Sequence, residues 1–256
     1  MIQTTEITSS SIASDNPIHQ RLKYAYIRAA DFIRGDVLDI GCGEGRGMEL
    51  LMENADTFTA VDKNNIVLGE LRKKYPQGKF IEANIPPLSM FEDESFDTVV
   101  SFQVIEHIQD DEMYVKEISR VLRPGGKAVI TTPNIKMSLT RNPWHVREYT
   151  KEEMVSLFQP HFQKVGLKGV YGDDKVSKYF EKNKASVAKY KKLDIFNLEY
   201  RLPRSVLAIP YDILNRMNRD KLKQTNDDLV MSITTEDYHL SPADDLCYDF
   251  FCVCEK

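Results

Sequence analysis

Glycines and acids follow two predicted strands at positions where a nucleotide-like ligand could be held. Residues 37–47 read VLDIGCGEGRG, so that glycine occupies every second position after a short apolar run. The apolar run predicts a buried parallel strand, and residues 48–52 predict a helix. A strand, a glycine loop and a helix bring backbone N–H groups close to a ligand. Glycine is needed where a Cβ would collide with that ligand.

The glycine spacing helps to distinguish between ligands. None of Gly41, Gly43, Gly45 and Gly47 begins a G-x-G-x-x-G sequence, and the chain contains no G-x-x-x-x-G-K-[ST]. Asp39 instead lies at the strand end, where a carboxylate would repel a pyrophosphate but would suit a cation. S-adenosylmethionine carries an ammonium and a sulfonium and no phosphate. The pattern therefore favours S-adenosylmethionine over a dinucleotide.

A second acid closes the next predicted strand, FTAVD at residues 58–62. Asp62 is placed to accept hydrogen bonds from both ribose hydroxyls of an adenosine. A nicotinamide dinucleotide would make the same contact. Asp62 therefore indicates an adenosine ligand without separating the two cofactors.

Several segments together resemble the class I S-adenosylmethionine-dependent methyltransferases, and among them the type-11-like group. They read VLDIGCGEG, AVDKN, FEDESFDTVVSFQVIEHI, EISRVLRPGGKAVITTPN and NPWHVREYT, in the family's order. Most relatives have Asp at the position of Asn84, whose amide oxygen can still accept a hydrogen bond from the adenine amino group. The resemblance implies cofactor contacts by Asp39, Gly41, Cys42, Gly43, Gly45, Asp62, Lys63, Asn84, Ile85 and Gln103.

Two histidines are candidate general bases. Methyl transfer is an in-line displacement, so the enzyme aligns the acceptor, excludes water and removes a proton if the acceptor is a hydroxyl. His107 follows the fourth predicted strand and His145 lies in a later loop, and histidine can take such a proton near neutral pH. A structural role remains open for each. Candidate substrate contacts are Tyr24, Glu106 and Trp144. Glu106 could instead orient His107. Tyr24 lies on the first predicted helix, where plain packing is the alternative.

A metal-assisted reaction is an alternative in this region. RNA 2′-O-methyltransferases and quinone O-methyltransferases resemble it through an E-x-x-E-H sequence that holds a divalent cation. The corresponding residues are Gln103, Glu106 and His107, with His145 as a further candidate. A neutral amide is a weaker ligand than a carboxylate for a hard dication. We therefore predict no metal.

The predicted fold is α/β, a Rossmann-like doubly wound sheet. The resemblance implies seven mostly parallel strands, an antiparallel last strand and a helical insertion between strands 6 and 7. Helical periodicity over residues 19–33 and a capping box at residues 150–153 mark two of the helices. The expected division is an N-terminal cap (1–34), a cofactor-binding core (35–170), an inserted acceptor subdomain or lid (171–245) and a final core strand (246–256).

The predicted insertion is rich in lysine. About 75 residues lie where a short hairpin would suffice, and loops of more than about 15 residues are usually functional or disordered. Helices are predicted at 175–192 and 206–217. The first contains seven lysines and one acid, Glu181. It could bind an anionic acceptor such as a glycan phosphate, a lipid head group or RNA, although a solvated helix face is the simpler interpretation.

Composition limits the classes of function. The net charge of −5 argues against a general nucleic-acid-binding protein. The sequence shows no apolar run long enough for a membrane span and no pattern typical of a signal peptide. The four cysteines have no zinc spacing and fit buried thiols of a cytoplasmic protein. Segments 101–107 and 142–148 resemble methyltransferases of surface-polysaccharide biosynthesis, which favours O-methylation of a sugar or other small hydroxyl acceptor. An NAD(P)-dependent oxidoreductase and a non-catalytic nucleoside-binding protein are the competing classes.

Overall fold

One mixed sheet of eight strands organises the chain. The computed structural model describes residues 12–192, 194 and 197–256. The strands lie side by side in the order β3-β2-β1-β4-β5-β8-β6-β7. Their bounds are β1 Asp36–Ile40, β2 Thr57–Asp62, β3 Lys79–Glu82, β4 Phe96–Phe102, β5 Leu122–Pro133, β6 Lys164–Gly172, β7 Tyr238–Pro242 and β8 Asp249–Glu255.

Strands β1 to β5 are parallel, and β8 runs antiparallel between β5 and β6. This confirms the predicted Rossmann-like arrangement. The predicted strand number of seven is wrong, because β7 pairs antiparallel with β6 at the sheet edge. Its sequence, YHLSP, is short, half polar and ends in proline, so it carries little strand signal. Residues 171–245, predicted as an insertion, therefore also contribute one strand to the sheet.

Nine α-helices are assigned in the described part of the chain. The capping box predicted at residues 150–153 is confirmed, because Thr150 and Glu153 bond reciprocally at the start of α5. At the start of α4, Asp110 accepts the Met113 N–H. The bounds are α1 Asn16–Ala29, α2 Met48–Met52, α3 Asn65–Lys74, α4 Asp111–Val121, α5 Lys151–Phe158, α6 Asp174–Lys191, α7 Leu198–Arg201, α8 Arg204–Thr225 and α9 Asp227–Ser232.

Apolar side chains fill both faces of the sheet. Val37 and Leu38 are adjacent in β1, yet they belong to different core clusters because successive strand residues point to opposite faces. Helix α6 packs against α8, and α1 packs against α2. Within the described residues, none of the helices combines the length and the apolarity that a bilayer crossing requires. The carboxyl ends of β1, β2 and β4 meet at the glycine loop: the Gly41 N–H donates to the Val61 carbonyl of β2, and Val104, just after β4, lies against Gly41.

Candidate functional site

The glycine loop follows β1 with a backbone that only glycine adopts easily. Gly41, Gly43, Gly45 and Gly47 all have φ between +49° and +75°. A Cβ at Gly41 would collide with the side chain of Val104. A Cβ at Gly43 would meet no atom of the described residues within 4 Å. Gly43 thus borders open space in which a ligand can approach the backbone.

Asp39 lies beneath this loop and is almost completely buried. Neither of its carboxylate oxygens has a hydrogen-bond partner among residues 12–192, 194 and 197–256. Burial, and then the nearby charge of Asp62, raise the pKa of Asp39 to about 8. A buried acid without a partner is costly. A cationic ligand would supply the missing partner, so the residues fit S-adenosylmethionine.

Asp62 ties the glycine loop to the end of β2. One carboxylate oxygen accepts the Gly43 N–H at 2.9 Å, and the other accepts the Asn64 N–H at 2.9 Å. Asn64 in turn caps α3 by accepting from Ile66 and Val67. These bonds fix the carboxylate plane beside the open space at Gly43, while each oxygen retains a second lone pair. That geometry is compatible with the predicted ribose contact.

The predicted cofactor residue Cys42 is buried within the glycine loop, and those outside the loop follow strands β2, β3 and β4. Lys63 directly follows β2 and is exposed. Asn84 and Ile85 follow β3, where Asn84 is exposed and Ile85 is half-buried. Gln103 follows β4 with φ +58°, which is a strained value for a residue with a side chain. Its N–H donates to the Thr131 carbonyl at 2.9 Å. The ends of β1, β2, β3 and β4 thus form one edge, but the cofactor roles of these residues stay predictions.

A cavity of about 210 Å³ opens beyond β5, between the loop at residues 134–149 and helices α1, α6 and α8. Its walls combine tyrosine rings with amide, carboxylate and guanidinium groups. They include Asn134, His145, Glu148, Tyr179, Tyr211 and Arg219. This volume lies below the roughly 300 Å³ of the smallest drug-sized pockets. It therefore suits a small ligand or one unit of a larger one.

His145 is held in the cavity wall by two polar contacts. Its Nδ1 lies 2.6 Å from Oε1 of Glu148, and its Nε2 lies 2.8 Å from Nδ2 of Asn142. Since the Asn142 amide donates, Nε2 accepts and Nδ1–H donates to the Glu148 carboxylate. This is the tautomer that a general base requires, because the lone pair on Nε2 faces a replaceable partner.

His107 and Glu106 lie behind His145. The two imidazole rings are perpendicular with centroids 5.0 Å apart, and His107 Nδ1 lies 2.9 Å from the Trp144 carbonyl oxygen. Glu106 is fully buried, and burial raises its pKa to about 7 although Thr132 donates to Oε2 at 3.0 Å. Neither residue lines the cavity. Of the two predicted bases, the geometry therefore favours His145.

Two predicted substrate contacts lie elsewhere. Tyr24 packs against Tyr238 with ring centroids 6.3 Å apart, and it does not line the cavity. The indole N–H of Trp144 donates to Asp212 at 3.1 Å and so joins the loop to α8. Sequence reasoning missed Tyr26, which is buried against Gly47 and close to Asp39. Tyr26 lies two residues from Tyr24, on the opposite side of α1. Because both tyrosines are buried, the sequence pattern does not show which of them faces the glycine loop.

A metal ion could be held by Glu106, His107 and His145. One ligand atom from each lies within 4.8 Å of the others. Oε1 of Glu106 has no hydrogen-bond partner in the described part of the protein, as expected of an oxygen kept for a ligand. His145, however, already uses both ring nitrogens. The cluster can accept a cation only if Asn142 or Glu148 releases the ring.

Comparison with known proteins gives the same class as the fold and the site. Residues 38–130 match the family model described as a methyltransferase domain. A Mycolicibacterium smegmatis protein called "Probable S-adenosylmethionine-dependent methyltransferase" is 32% identical over 94% of this chain and 88% of its own length. The chain therefore belongs to the S-adenosylmethionine-dependent methyltransferases, and its cofactor is S-adenosylmethionine.

Further matches cover less of the chain or are less similar in sequence. A Mycobacterium tuberculosis protein with the same description is 38% identical, over 60% of this chain and 58% of its own length. A solved methyltransferase from Archaeoglobus fulgidus superposes with a TM-score of 0.54 and 17% identity, covering 93% of each chain. A Dictyostelium discoideum ubiquinone biosynthesis O-methyltransferase is 30% identical over 47% of this chain and 39% of its own length.

Proposed function

We propose that this enzyme O-methylates a hydroxyl group of a small molecule or of a sugar unit in a glycan. The observation that carries the proposal is the position of the His145–Glu148 pair in the wall of the cavity. A cavity of this size with tyrosine rings, amides and carboxylates can stack on a sugar ring and hydrogen-bond its hydroxyls. The four cysteines are buried thiols, which supports the proposed cytoplasmic location.

The bound donor would supply an activated methyl group and a neutral thioether leaving group, S-adenosylhomocysteine. The chain's own residues then have three tasks. Asp39 and Asp62 hold the donor, the cavity wall orients the acceptor oxygen, and Nε2 of His145 takes the acceptor's proton. Glu148 stabilises the resulting imidazolium through the 2.6 Å contact to Nδ1. Asn142 must give way for the acceptor hydroxyl to reach Nε2.

Cofactor titration tests whether Asp62 holds the ribose of S-adenosylmethionine. We expect Asp62→Ala to weaken S-adenosylmethionine binding about 10- to 100-fold, because charged hydrogen bonds contribute about 1.5–3 kcal/mol. Asp56→Ala, at the exposed opposite end of β2, is the matched control and should bind normally. Calorimetry measures the affinity for S-adenosylmethionine, and NAD serves as a ligand that should not bind. Unchanged affinity in Asp62→Ala would remove the ribose assignment.

Acceptor screening tests whether the methyl group is transferred to a hydroxyl of a small molecule or a sugar. The enzyme is given S-adenosylmethionine with a labelled methyl group, and incorporation of label is measured in monosaccharides, phosphorylated sugars, phenols and RNA. Label in a sugar or another small hydroxyl compound is the expected result. Transfer to RNA alone, or to an amine nitrogen, would contradict the proposal.

A metal-assisted O-methyltransferase is the second candidate function, favoured by the juxtaposition of Glu106, His107 and His145. Its test is turnover after chelation and after addition of Mg²⁺, Mn²⁺ or Zn²⁺. Activity that falls with chelation and returns with one ion would support this candidate. Full activity in chelator would leave His145 acting as a base without a metal.

A further inference from the structure

Helix α8 exposes an apolar stripe to its surroundings. The stripe spans five side chains over three turns, at the spacing that places them on one face of a helix. Ile209 is 63% exposed and Met217 is 55% exposed. We call this set the α8 outer face: Val206, Ile209, Ile213, Leu214 and Met217.

The opposite side of α8 is buried and mostly polar, with Leu222 as its buried apolar residue. Asp212, Asn218 and Arg219 are almost completely buried there, and Tyr211 and Asn215 line the cavity. A helix of a globular protein usually buries its apolar side and exposes its polar side. Because α8 does the reverse, its outer face has the character of an interaction site.

The segment that contains this stripe is basic, although two of its arginines, Arg216 and Arg219, face inward and pair with Asp15. Residues 173–225 contain 13 Lys and Arg against 7 Asp and Glu, although the whole chain carries a net charge of −5. The exposed end of α6 bears Lys189, Lys191 and Lys192. Nζ of Lys191 lies 5.8 Å from the ring centroid of Tyr200, which is 63% exposed on α7. The basic end of α6 thus lies beside the short helix that precedes α8.

The combination of apolar and basic groups identifies the occupant. We infer that the α8 outer face docks on an anionic lipid surface. The apolar stripe enters the boundary of the acyl chains, and the lysines meet the lipid phosphates, as in amphipathic helices that lie in a membrane interface. A second copy of this chain would bring two segments of the same positive charge together, which opposes self-association.

Vesicle flotation of the full chain tests the inference. The vesicles are phosphatidylcholine alone or an equal mixture with phosphatidylglycerol. The wild type should float with the mixed vesicles, and Ile209→Ser combined with Ile213→Ser should lower partitioning at least about tenfold. Lys189→Gln combined with Lys192→Gln should lower binding to the mixed vesicles roughly fivefold per lysine, with little effect on neutral vesicles.

A matched control and a second measurement keep the result unambiguous. Leu246→Ser changes a side chain that is 69% exposed outside α8 and should float like the wild type. Circular dichroism confirms that each variant is folded, and no readout depends on methyl transfer. Absence of wild-type binding, or equal binding by the isoleucine variant, would overturn the inference. So would a dimer in vesicle-free buffer that the isoleucine variant dissociates, because the face would then join two copies.

Discussion

Asp39 couples the stability of the cofactor-free protein to pH. Its pKa of about 8 lies well above the value of about 3.9 in an unfolded chain. Between these two values the folded protein holds a proton that the unfolded chain has released. For this group, the free energy of unfolding is therefore highest below about pH 4 and falls as the pH rises through about 8, by up to about 1.4 kcal/mol per pH unit.

We expect Asp39→Asn to remove this slope, because the amide has the same shape and does not titrate. Urea denaturation between about pH 5 and pH 9 should show the variant gaining stability relative to the wild type as the pH rises. Asp56→Asn, at an exposed position, should keep the wild-type slope. Parallel curves for the wild type and Asp39→Asn would show that Asp39 is ionised throughout.

His145 and Glu148 should act together in turnover. We expect His145→Ala to lower kcat about 100-fold or more, since a general base contributes at least that much. Glu148→Gln should lower kcat less, because the amide oxygen can still accept from Nδ1–H while the protonated ring loses its anionic partner. His107→Ala, outside the cavity lining, is the comparison. A larger loss of kcat in His107→Ala than in His145→Ala would reverse the assignment of the base.

At the residue scale, the sequence indicated positions at strand ends where the signal was local. The glycine spacing, Asp39 and Asp62 all lie within one strand–loop–helix unit and its neighbour, so their positions could be predicted. The hydrogen bond from Trp144 to Asp212 joins residues 68 positions apart. No local pattern records such a bond, and the choice between Tyr24 and Tyr26 similarly depended on which neighbours cover each side of α1.

Among the elements, α5 shows how a cap supports the site. Its capping box begins at Thr150, directly after the loop that carries His145 and Glu148. We expect Thr150→Ala to lower the free energy of unfolding by about 1 kcal/mol, because the N–H of Glu153 loses its acceptor. Thermal unfolding measures the loss. Glu152→Gln, beside the box but outside it, should have a smaller effect, and an equal loss in both variants would contradict this explanation.

Helix α6 was predicted with nearly correct bounds, as residues 175–192, and it spans Asp174–Lys191. Helix α8 was predicted too short, as residues 206–217, whereas it spans Arg204–Thr225. Its outward apolar and inward polar sides still follow a helical period. Which side faces the protein depends on the cavity that the helix covers, and that information does not lie in the helix itself.

At the scale of the whole molecule, Asp15 joins the segment before α1 to α8. It is fully buried and lies 2.8 Å from Arg216 and 3.0 Å from Arg219. We expect Asp15→Asn to cost roughly 3 kcal/mol, because two guanidinium groups lose a buried anionic partner. Urea denaturation measures the cost. Asp31→Asn, which breaks the exposed pair with Arg28, should cost less than about 1 kcal/mol, and equal costs would show that the Asp15 contacts are dispensable.

The position of β8 in the sheet has a consequence for biosynthesis. β8 is the last of the eight strands in chain order, yet it joins β5 to β6. While the ribosome is still making the insertion, β1 to β5 can already assemble, but β6 has no partner within that half. The β5 edge then stays open to pairing with other nascent chains until Asp249–Glu255 emerges. Chaperone demand should accordingly be highest between the synthesis of β5 and that of β8, and a slow codon stretch between β6 and β8 would prolong this interval.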